Sequence, residues 1–357
     1  MVQTAKSNWV LQTWLDNLVL RFYPPCLDLR ADLRIRGVLK EERKEMYGGE
    51  IKGFDRSIDS VSCVIETQLA SEKDPWDRGA FFDQRLEQES VLEALLIYRD
   101  RLTKRQRENL RPGQFKQVDV HTEFDKSVSP MWQHFVSLHH RFELEFQSED
   151  RGPFKALWEK LNRSQKKAPY LEIGLGRLSL ASQKAGEPGE VLYRLVDYVS
   201  STEALLTVDE PEVSFKLPAR MATLLGRSPK ESQDVYDFMR QAYKLRSKLV
   251  HGEAPKKLLP FKVRQTEVDF EEVLGRLHSY SRECIRFVIE LVEADFEDKE
   301  ELLRFLDLAC VRSDLRQSMT AFLDSQQGVE KLKEDFKSAQ EGTFHKTLHD
   351  ERHGELH

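Results

Sequence analysis

No run of about 18 apolar residues occurs in the sequence, which predicts that no helix of the chain spans a membrane. The start, MVQTAKSNWVLQTW, lacks a basic segment followed by an apolar one, so no secretory signal is expected. The four cysteines are widely separated and form no Cys-x-x-Cys pair, which argues against a structural zinc site or a disulfide framework. Together these absences predict a protein of the reducing cytoplasm.

Common catalytic motifs are also missing. The stretch LEIGLGRLS lacks the third glycine and the lysine of a phosphate-binding loop, and neither a His-Glu-x-x-His motif nor a nucleophile elbow occurs. We therefore expect no metal and no cofactor. The net charge of −6 argues against non-specific coating of nucleic acid, so any nucleic-acid chemistry is expected at a local basic site.

The first 165 residues are rich in aromatic side chains and are interrupted by turn signals. Residues 8–21 and 84–110 favour helices, whereas CLDLRADLRIRGVL partly alternates, as a strand does. We interpret residues 1–165 as a sensing or regulatory domain, helix-rich with mixed α/β character. The polar end of RGPFKALWEKLNRSQKKAP predicts a basic connection and a domain boundary near residue 165.

The rest of the chain shows helical periodicity, so the fold class is predicted to be mainly α. A helix is predicted over EPGEVLYRLVDYVSSTEALL, and a shorter one over FKLPARMATLLG, closed by Gly226 as a C′ glycine. Ser228, Pro229 and Glu231 then form a predicted capping box for a helix that runs to His251.

A further helix is expected over residues 268–293. Its predicted inward positions are Val273, Leu274, Leu277, Ile285, Val288 and Leu291. These patterns predict a helical domain over residues 166–293. Residues 294–357 are then expected to form short helices and a charged tail.

Arg246 is the unusual residue of this region. At about 100° per residue it falls inside the apolar stripe that begins at Val235, where a guanidinium needs an acidic partner or an anionic ligand. Glu203 also lies on an apolar stripe, four residues after Val199, and is a candidate partner. A structural ion pair between the two helices explains both residues without any catalytic role.

His251 follows Arg246 by five residues, which places it about 140° around the helix and about 7.5 Å along it. One helix therefore does not bring both side chains over one substrate atom. Two copies related by a two-fold axis would bring both pairs to one place. The spacing alone does not identify a site, because Arg352 and His357 repeat it in the tail.

The order of these elements resembles the HEPN superfamily, and more narrowly the ApeA-type HEPN domains of bacterial defence proteins. The resemblance rests on STEALL, the acidic TVDEPEVSF, the helix LPARMATLLG and the segment YKLRSKLVHGE. It covers residues 170–292. It implies a helical bundle that forms a homodimer and, when active, cleaves RNA without a metal.

By the same resemblance, the family's Arg and His fall on Arg246 and His251, its acidic position on Glu203 and its polar position on Ser247. The implied reaction is attack of the ribose 2′-hydroxyl on the adjacent phosphate. His251 moves the proton, and Arg246 offsets the charge on the phosphoryl oxygens. This implies an endoribonuclease of anti-phage defence or toxin-like growth arrest, with residues 1–165 answering a phage-derived trigger.

Two other functions stay open. Many members of the family are inactive, so a non-catalytic module that dimerises and binds a nucleotide, RNA or a protein fits the same residues. A DNA-binding regulator is the third alternative, and the net negative charge and the lack of a recognisable recognition helix argue against it.

Two outlying segments carry further candidate residues. Lys104, Arg105, Arg107 and Arg111 belong to the basic stretch YRDRLTKRQRENLR and, with Lys248, are candidate contacts to an RNA backbone. A solvated helix end explains that stretch better, since Asp100 and Glu108 dilute its charge. The tail repeats histidine every four residues, at His345, His349, His353 and His357. Four histidines in a line do not form a tetrahedral metal site, so an unstructured or partner-docking tail is expected.

Overall fold

The structure of the protein is a computed structural model. It describes residues 10–16, 18–20, 26–37, 61–68, 78–98, 119–124, 136–137, 144–183, 190–208, 212–253, 261–263, 266–325 and 327–353.

The fold is mainly α, as predicted, and divides into two compact units. The first unit comprises residues 1–162 and 182–191, and the second comprises residues 163–181 and 192–357. The division between residues 162 and 163 falls inside a helix, Arg151–Lys167. The basic residues that the sequence predicted as a connection are therefore helical as far as Lys167.

A mixed α/β arrangement characterises the first unit. Its described strands are β1 (Val10–Asp16), β2 (Leu18–Leu20), β3 (Cys26–Arg30), β4 (Leu33–Gly37), β5 (Val61–Gln68), β6 (Asp119–Phe124), β7 (Val136–Ser137) and β8 (Leu144–Phe146). Six of them form one sheet in the order β3-β4-β5-β1-β6-β7, with antiparallel neighbours throughout. Helix α1 (Arg78–Tyr98) belongs to the same unit.

The strand character predicted for CLDLRADLRIRGVL is confirmed as far as Gly37, where it forms the hairpin of β3 and β4, and residues 38–39 lie outside the described ranges. Leu27, Leu29, Leu33 and Ile35 are buried, whereas the residues between them are more exposed, as the two-residue period of a strand requires. Helix α1 is tied to β5 by a hydrogen bond of 2.9 Å from Nε2 of Gln88 to Oγ1 of Thr67.

The helix predicted over residues 8–21 is wrong. Residues 10–16 and 18–20 of this segment form β1 and β2, and β1 pairs on one side with β5 and on the other with β6. The hydrogen-bonded partners of β1 are far away in the sequence, so pairing with them outweighs the local pattern that favoured a helix. The helix predicted over 84–110 exists as α1 up to Tyr98, and residues 99–110 lie outside the described ranges.

The second unit is almost entirely helical. Helix α2 (Arg151–Lys167) contributes residues to both units. The helices that follow are α3 (Tyr170–Gln183), α4 (Glu190–Leu206), α5 (Val213–Leu225), α6 (Pro229–Val250), α7 (Phe270–Glu293), α8 (Lys299–Val311), α9 (Ser313–Ser325) and α10 (Val329–His353). The helices predicted from periodicity at α4, α5, α6 and α7 are confirmed. A short hairpin of β9 (Phe261–Val263) and β10 (Thr266–Val268) corrects the expectation that this half contains helices alone.

Hydrogen bonds and close packing hold α4 in place within this unit. Oγ of Ser201 donates to the carbonyl of Gly174 in α3 at 2.7 Å, and Oγ of Ser281 in α7 donates to the carbonyl of Tyr198 at 3.2 Å. A Cβ at Gly174 would lie 2.8 Å from Leu205, so glycine permits the close approach of α3 and α4. This packing fixes the helix that carries Glu203.

The junction between α5 and α6 differs from the prediction in one detail. Gly226 is extended, with φ −78°, and is not a left-handed C′ glycine. Glycine fits here because a Cβ would lie 2.6 Å from the Cα of Ser232. Arg316 of α9 reinforces the junction, since its Nη2 donates to the carbonyls of Ala222 and Gly226 at 3.0 and 3.1 Å and to Oγ of Ser232.

Helices α8 to α10 pack together around three aromatic rings. Phe296, Phe305 and Phe336 have centroid separations between 4.6 and 5.5 Å. The chain is helical from Val329 to His353, so the tail is not unstructured over that range, and the partner-docking alternative stays a prediction. In the described part of the chain, no helix is long and apolar enough to cross a membrane.

Candidate functional site

Helix α6 begins at the predicted cap. Oγ of Ser228 accepts a hydrogen bond of 3.2 Å from the N–H of Glu231, and Pro229 occupies the first turn. The carboxylate of Glu231 accepts from the N–H of Arg227 rather than from that of the cap residue, so only half of the predicted capping box forms. The helix start is nevertheless well defined, and it sets which face of α6 packs inward.

The inward face of α6 is the predicted apolar stripe. Its buried members are Val235, Phe238, Met239, Ala242 and Leu245. Arg246 follows the last of these residues and is half-buried, with 23% of its side chain exposed.

Glu203 and Arg246 form the predicted ion pair. Nη2 of Arg246 donates to Oε2 of Glu203 at 2.7 Å, which joins α6 to the end of α4. The Glu203 side chain is 22% exposed, so the pair is half-buried rather than fully enclosed. A pair with this burial lies between the surface and the interior cases in its contribution to stability.

One nitrogen of Arg246 stays without a hydrogen bond. Its Nε is shielded from solvent and has no hydrogen-bond partner among the residues that the structure describes. Glu203 therefore satisfies only part of the guanidinium, because arginine presents five N–H donors. A buried donor of this kind is favourable for an anionic ligand that reaches it.

Tyr243 completes the surroundings of this pair. The guanidinium carbon of Arg246 lies 5.9 Å from the centroid of the Tyr243 ring, one helical turn earlier. Partial burial, and then the negative charge of Glu203, raise the pKa of the Tyr243 hydroxyl, while Arg246 acts in the opposite direction. The phenol is thus protonated at neutral pH and presents a hydrogen-bond donor.

His251 occupies the C-cap of α6, where the chain leaves the helix. The N–H of Gly252 bonds to the carbonyl of Leu249 at 3.1 Å, and the N–H of Glu253 bonds to that of Lys248 at 3.0 Å. These two bonds make a Schellman motif, with Gly252 at the left-handed position, φ +81°. The predicted helix end is confirmed, and His251 is exposed there.

The structure brings two of the predicted site residues together and leaves the third apart. Glu203 and Arg246 are in contact, whereas no hydrogen bond or ion pair joins His251 to either of them within the described chain. This agrees with the offset of about 140° between positions five residues apart on one helix.

The remaining candidate residues have separate outcomes. Ser247 is half-buried, and its carbonyl accepts the N–H of His251 at 3.0 Å. Lys248 pairs with Glu253 at 3.0 Å. Lys104, Arg105, Arg107, Arg111 and His357 lie outside the described residues. His345, His349 and His353 fall on α10, and their side chains also lie outside the described part.

No group of three or more His, Cys, Asp or Glu side chains that could hold a metal ion occurs among the described residues.

Sequence reasoning missed a second charged pair. Arg220 of α5 is 2% exposed, and its Nε and Nη2 donate to the two carboxylate oxygens of Asp307 in α8 at 2.7 Å each. Its Nη1 donates to the carbonyl of Leu206 at 2.7 Å. The arginine in FKLPARMATLLG lies between buried residues, and this position was the available signal. We interpret this pair as structural, since it is bidentate and links two helices.

No protein-family model, curated protein or solved structure matches the chain. The residues themselves therefore carry the functional argument.

Proposed function

We propose that the protein is a metal-independent endoribonuclease of the HEPN type, acting as a homodimer through its helical second half. The observation that carries the proposal is the incompletely bonded guanidinium of Arg246, placed on the same helix end as the exposed His251. The first residue supplies fixed positive charge, and the second gains and loses a proton near neutral pH.

In the proposed reaction, the ribose 2′-oxygen attacks the adjacent phosphorus and the bond from phosphorus to the 5′-oxygen breaks. The products are a 2′,3′-cyclic phosphate and a 5′-hydroxyl. A histidine accepts the proton of the 2′-hydroxyl or returns one to the leaving oxygen, which is the role we propose for His251. Arg246 offsets the charge on the non-bridging oxygens.

The offset between Arg246 and His251 supports the homodimer part of the proposal. A second copy related by a two-fold axis would present two arginines and two histidines to one RNA strand. The biological setting that we propose is bacterial anti-phage defence or toxin-like growth arrest in the cytoplasm. The first unit would respond to a phage-derived trigger or keep the nuclease silent.

The test is cleavage of single-stranded RNA by the purified full chain in the presence of a chelator. His251→Ala should abolish cleavage, whereas His357→Ala, which alters the same Arg–His spacing in the tail, should leave it unchanged. Cleavage that persists in His251→Ala would show that the assignment is wrong.

The ion pair itself favours a second candidate function. Glu203 already accepts a hydrogen bond from Arg246. In this alternative the pair is a structural link without a catalytic role, in a non-catalytic HEPN module that binds a nucleotide, RNA or a protein. Under this alternative, neither wild type nor His251→Ala cleaves RNA. Both are then equally tolerated when they are expressed with a trigger.

A further inference from the structure

The outward face of α6 carries a second pattern beside the candidate site. At about 100° per residue, one arc of about 100° contains aromatic, basic and hydroxyl side chains. Its members are Tyr236, Arg240, Tyr243, Lys244, Ser247 and His251. We call this arc the α6 track. Arg240, Lys244 and His251 are exposed, and the other three residues are half-buried, so the track faces outward along the helix.

The charge of α6 changes sign along its length. Residues 229–237 include Glu231, Asp234 and Asp237, whereas residues 238–252 contain four basic side chains and no acidic one. In the described part of the chain, neither Arg240 nor Lys244 forms an ion pair, which leaves both charges available. Glu203 and Glu253 also lie at this end of α6, and each pairs with a basic residue of the helix, Arg246 and Lys248 respectively. A cationic surface thus occurs locally on a chain of net charge −6.

Aromatic rings accompany these charges. Tyr236 and Tyr243 are two turns apart on the same face, and the ring of Phe215 contacts Tyr236 edge-on at a centroid distance of 6.1 Å. Phe215 is 58% exposed, which is unusual for so large an apolar side chain in a helix that otherwise packs inward. The rings and charges extend from Phe215 to His251. On α6 itself, Tyr236 and His251 are about 22 Å apart along the helix axis.

We propose that the α6 track binds the strand of single-stranded RNA that flanks the scissile phosphate. In this arrangement Tyr236 and Tyr243 stack on bases, and Arg240 and Lys244 neutralise phosphates. Single-stranded nucleic acid is recognised by this combination of a cationic path and interleaved aromatic rings. The charge favours RNA over a protein partner, because a polyanionic strand complements the two exposed charges of Arg240 and Lys244, which form no ion pair in the described part of the chain.

The inference rests on the proposed function, since the track leads to His251. It adds residues that hold the RNA without taking part in the reaction. Tyr243 links the two descriptions, because its ring lies on the track and also beside the guanidinium of Arg246.

The experiment measures binding separately from cleavage. The probe is a fluorescent single-stranded oligoribonucleotide with 2′-O-methyl sugars at every position. It has no free 2′-hydroxyl to attack the phosphate, so the anisotropy reports binding alone. Tyr236→Leu and Tyr243→Leu should each weaken binding between about fivefold and a hundredfold, as expected for one lost stacked base. Tyr236→Phe and Tyr243→Phe keep the ring and should bind like wild type.

The charges are tested by salt dependence. The plot of log affinity against log salt has a negative slope, and Arg240→Gln combined with Lys244→Gln should make that slope less steep by about 1.4, since two phosphate contacts disappear. The matched controls are Tyr193→Leu, at a tyrosine that is 62% exposed on α4, and Lys331→Gln combined with Lys337→Gln, at exposed positions of α10. These controls should retain wild-type affinity and slope. Melting curves identify any variant that fails to fold. If a Leu variant does not fold, the corresponding Phe variant, which keeps the ring and should bind like wild type, tests the role of the ring.

The two proposals fail in different ways. If track variants bind the probe as wild type does, or if wild type does not bind it, the track is wrong whether or not the protein cleaves RNA. Track variants that lose self-association but keep probe affinity would identify this face as an interface between copies and overturn the inference. If the track variants lose affinity but no RNA is cleaved by wild type, the track stands and the nuclease proposal fails.

Discussion

Nη2 of Arg246 and Oε2 of Glu203 lie 2.7 Å apart and join the end of α4 to the last turns of α6. Both side chains are about a quarter exposed. The pair therefore retains some contact with water. Its stabilising effect should be smaller than the 3–5 kcal/mol typical of breaking a buried pair.

Glu203→Ala should lower the free energy of unfolding by about 1–2 kcal/mol, between the surface and the buried cases. Adding Arg246→Leu should recover part of this loss, because no unpaired charge remains next to the apolar stripe. Thermal denaturation of the two variants and wild type measures both effects. Glu253→Ala, which breaks the exposed pair with Lys248, serves as the control and should melt like wild type. A Glu203→Ala protein that melts unchanged would show that the pair does not stabilise the fold.

The two residues at the end of α6 should respond differently to substitution. His251→Ala should change stability by less than about 0.5 kcal/mol, because the side chain is exposed. Gly252→Ala should destabilise by about 1 kcal/mol, since alanine is strained at φ +81°. Gly252→Asn should lose less, because asparagine tolerates the left-handed region. Chemical denaturation compares the three variants, and an unaffected Gly252→Ala would contradict the Schellman motif.

Two further glycines give opposite predictions. Gly226→Ala should destabilise by about 2 kcal/mol, because its Cβ would lie 2.6 Å from the Cα of Ser232 and the backbones would have to separate. Gly275→Ala should stabilise by about 0.5–1 kcal/mol, since Gly275 is exposed within α7 and nothing lies within 4 Å of its added Cβ. Equal melting temperatures for the two variants would refute the described junction of α5 and α6.

Asp307→Ala should destabilise the protein by about 3 kcal/mol, because it leaves the guanidinium of Arg220 buried without its carboxylate. Asp314 is the control, since it pairs with Arg312 in an exposed position. Asp314→Ala should therefore melt like wild type. If both variants melt alike, Arg220 is more accessible to water than its 2% exposure indicates.

Thiol reactivity should follow burial. Cys310 is exposed and should react first with a water-soluble thiol reagent under native conditions. Cys284 should stay unreactive until the protein unfolds, because burial shields it and raises the pKa of its thiol far above the ordinary value. Mass spectrometry of labelled peptides distinguishes the two cysteines. Early labelling of Cys284 would contradict the packing of α7.

The helices of the second unit were predictable because their apolar residues repeat at the helical period and strong end signals border them. Ser228 and Gly252 fixed the ends of α6, and the positions of Glu203 and Arg246 on two stripes predicted their pairing. Periodicity carried less information in the first unit, where β1 is placed by pairing with β5 and β6, strands that are distant in the sequence. The offset of Arg246 and His251 also followed from helix geometry alone.

Other features depend on contacts that a local pattern does not contain. Arg220 and Asp307 are 87 residues apart, and no spacing rule relates them. The sequence predicted that Gly226 is needed for a left-handed helix end. The structure shows that glycine is needed because Ser232 lies too close for a Cβ at this position. The α6 track was not recognised from the sequence, because it depends on which face of α6 is exposed.

The contacts of α8 and α9 with α5 also bear on how this protein can evolve. Asp307 supplies the carboxylate for Arg220, and Arg316 bonds to the backbone where α5 meets α6. A recombination event that transferred residues 166–293 alone would separate these partners and leave a buried positive charge in the recipient. Helices α8 and α9 should therefore be inherited together with the helix that bears Arg246 and His251, as one indivisible segment of the gene.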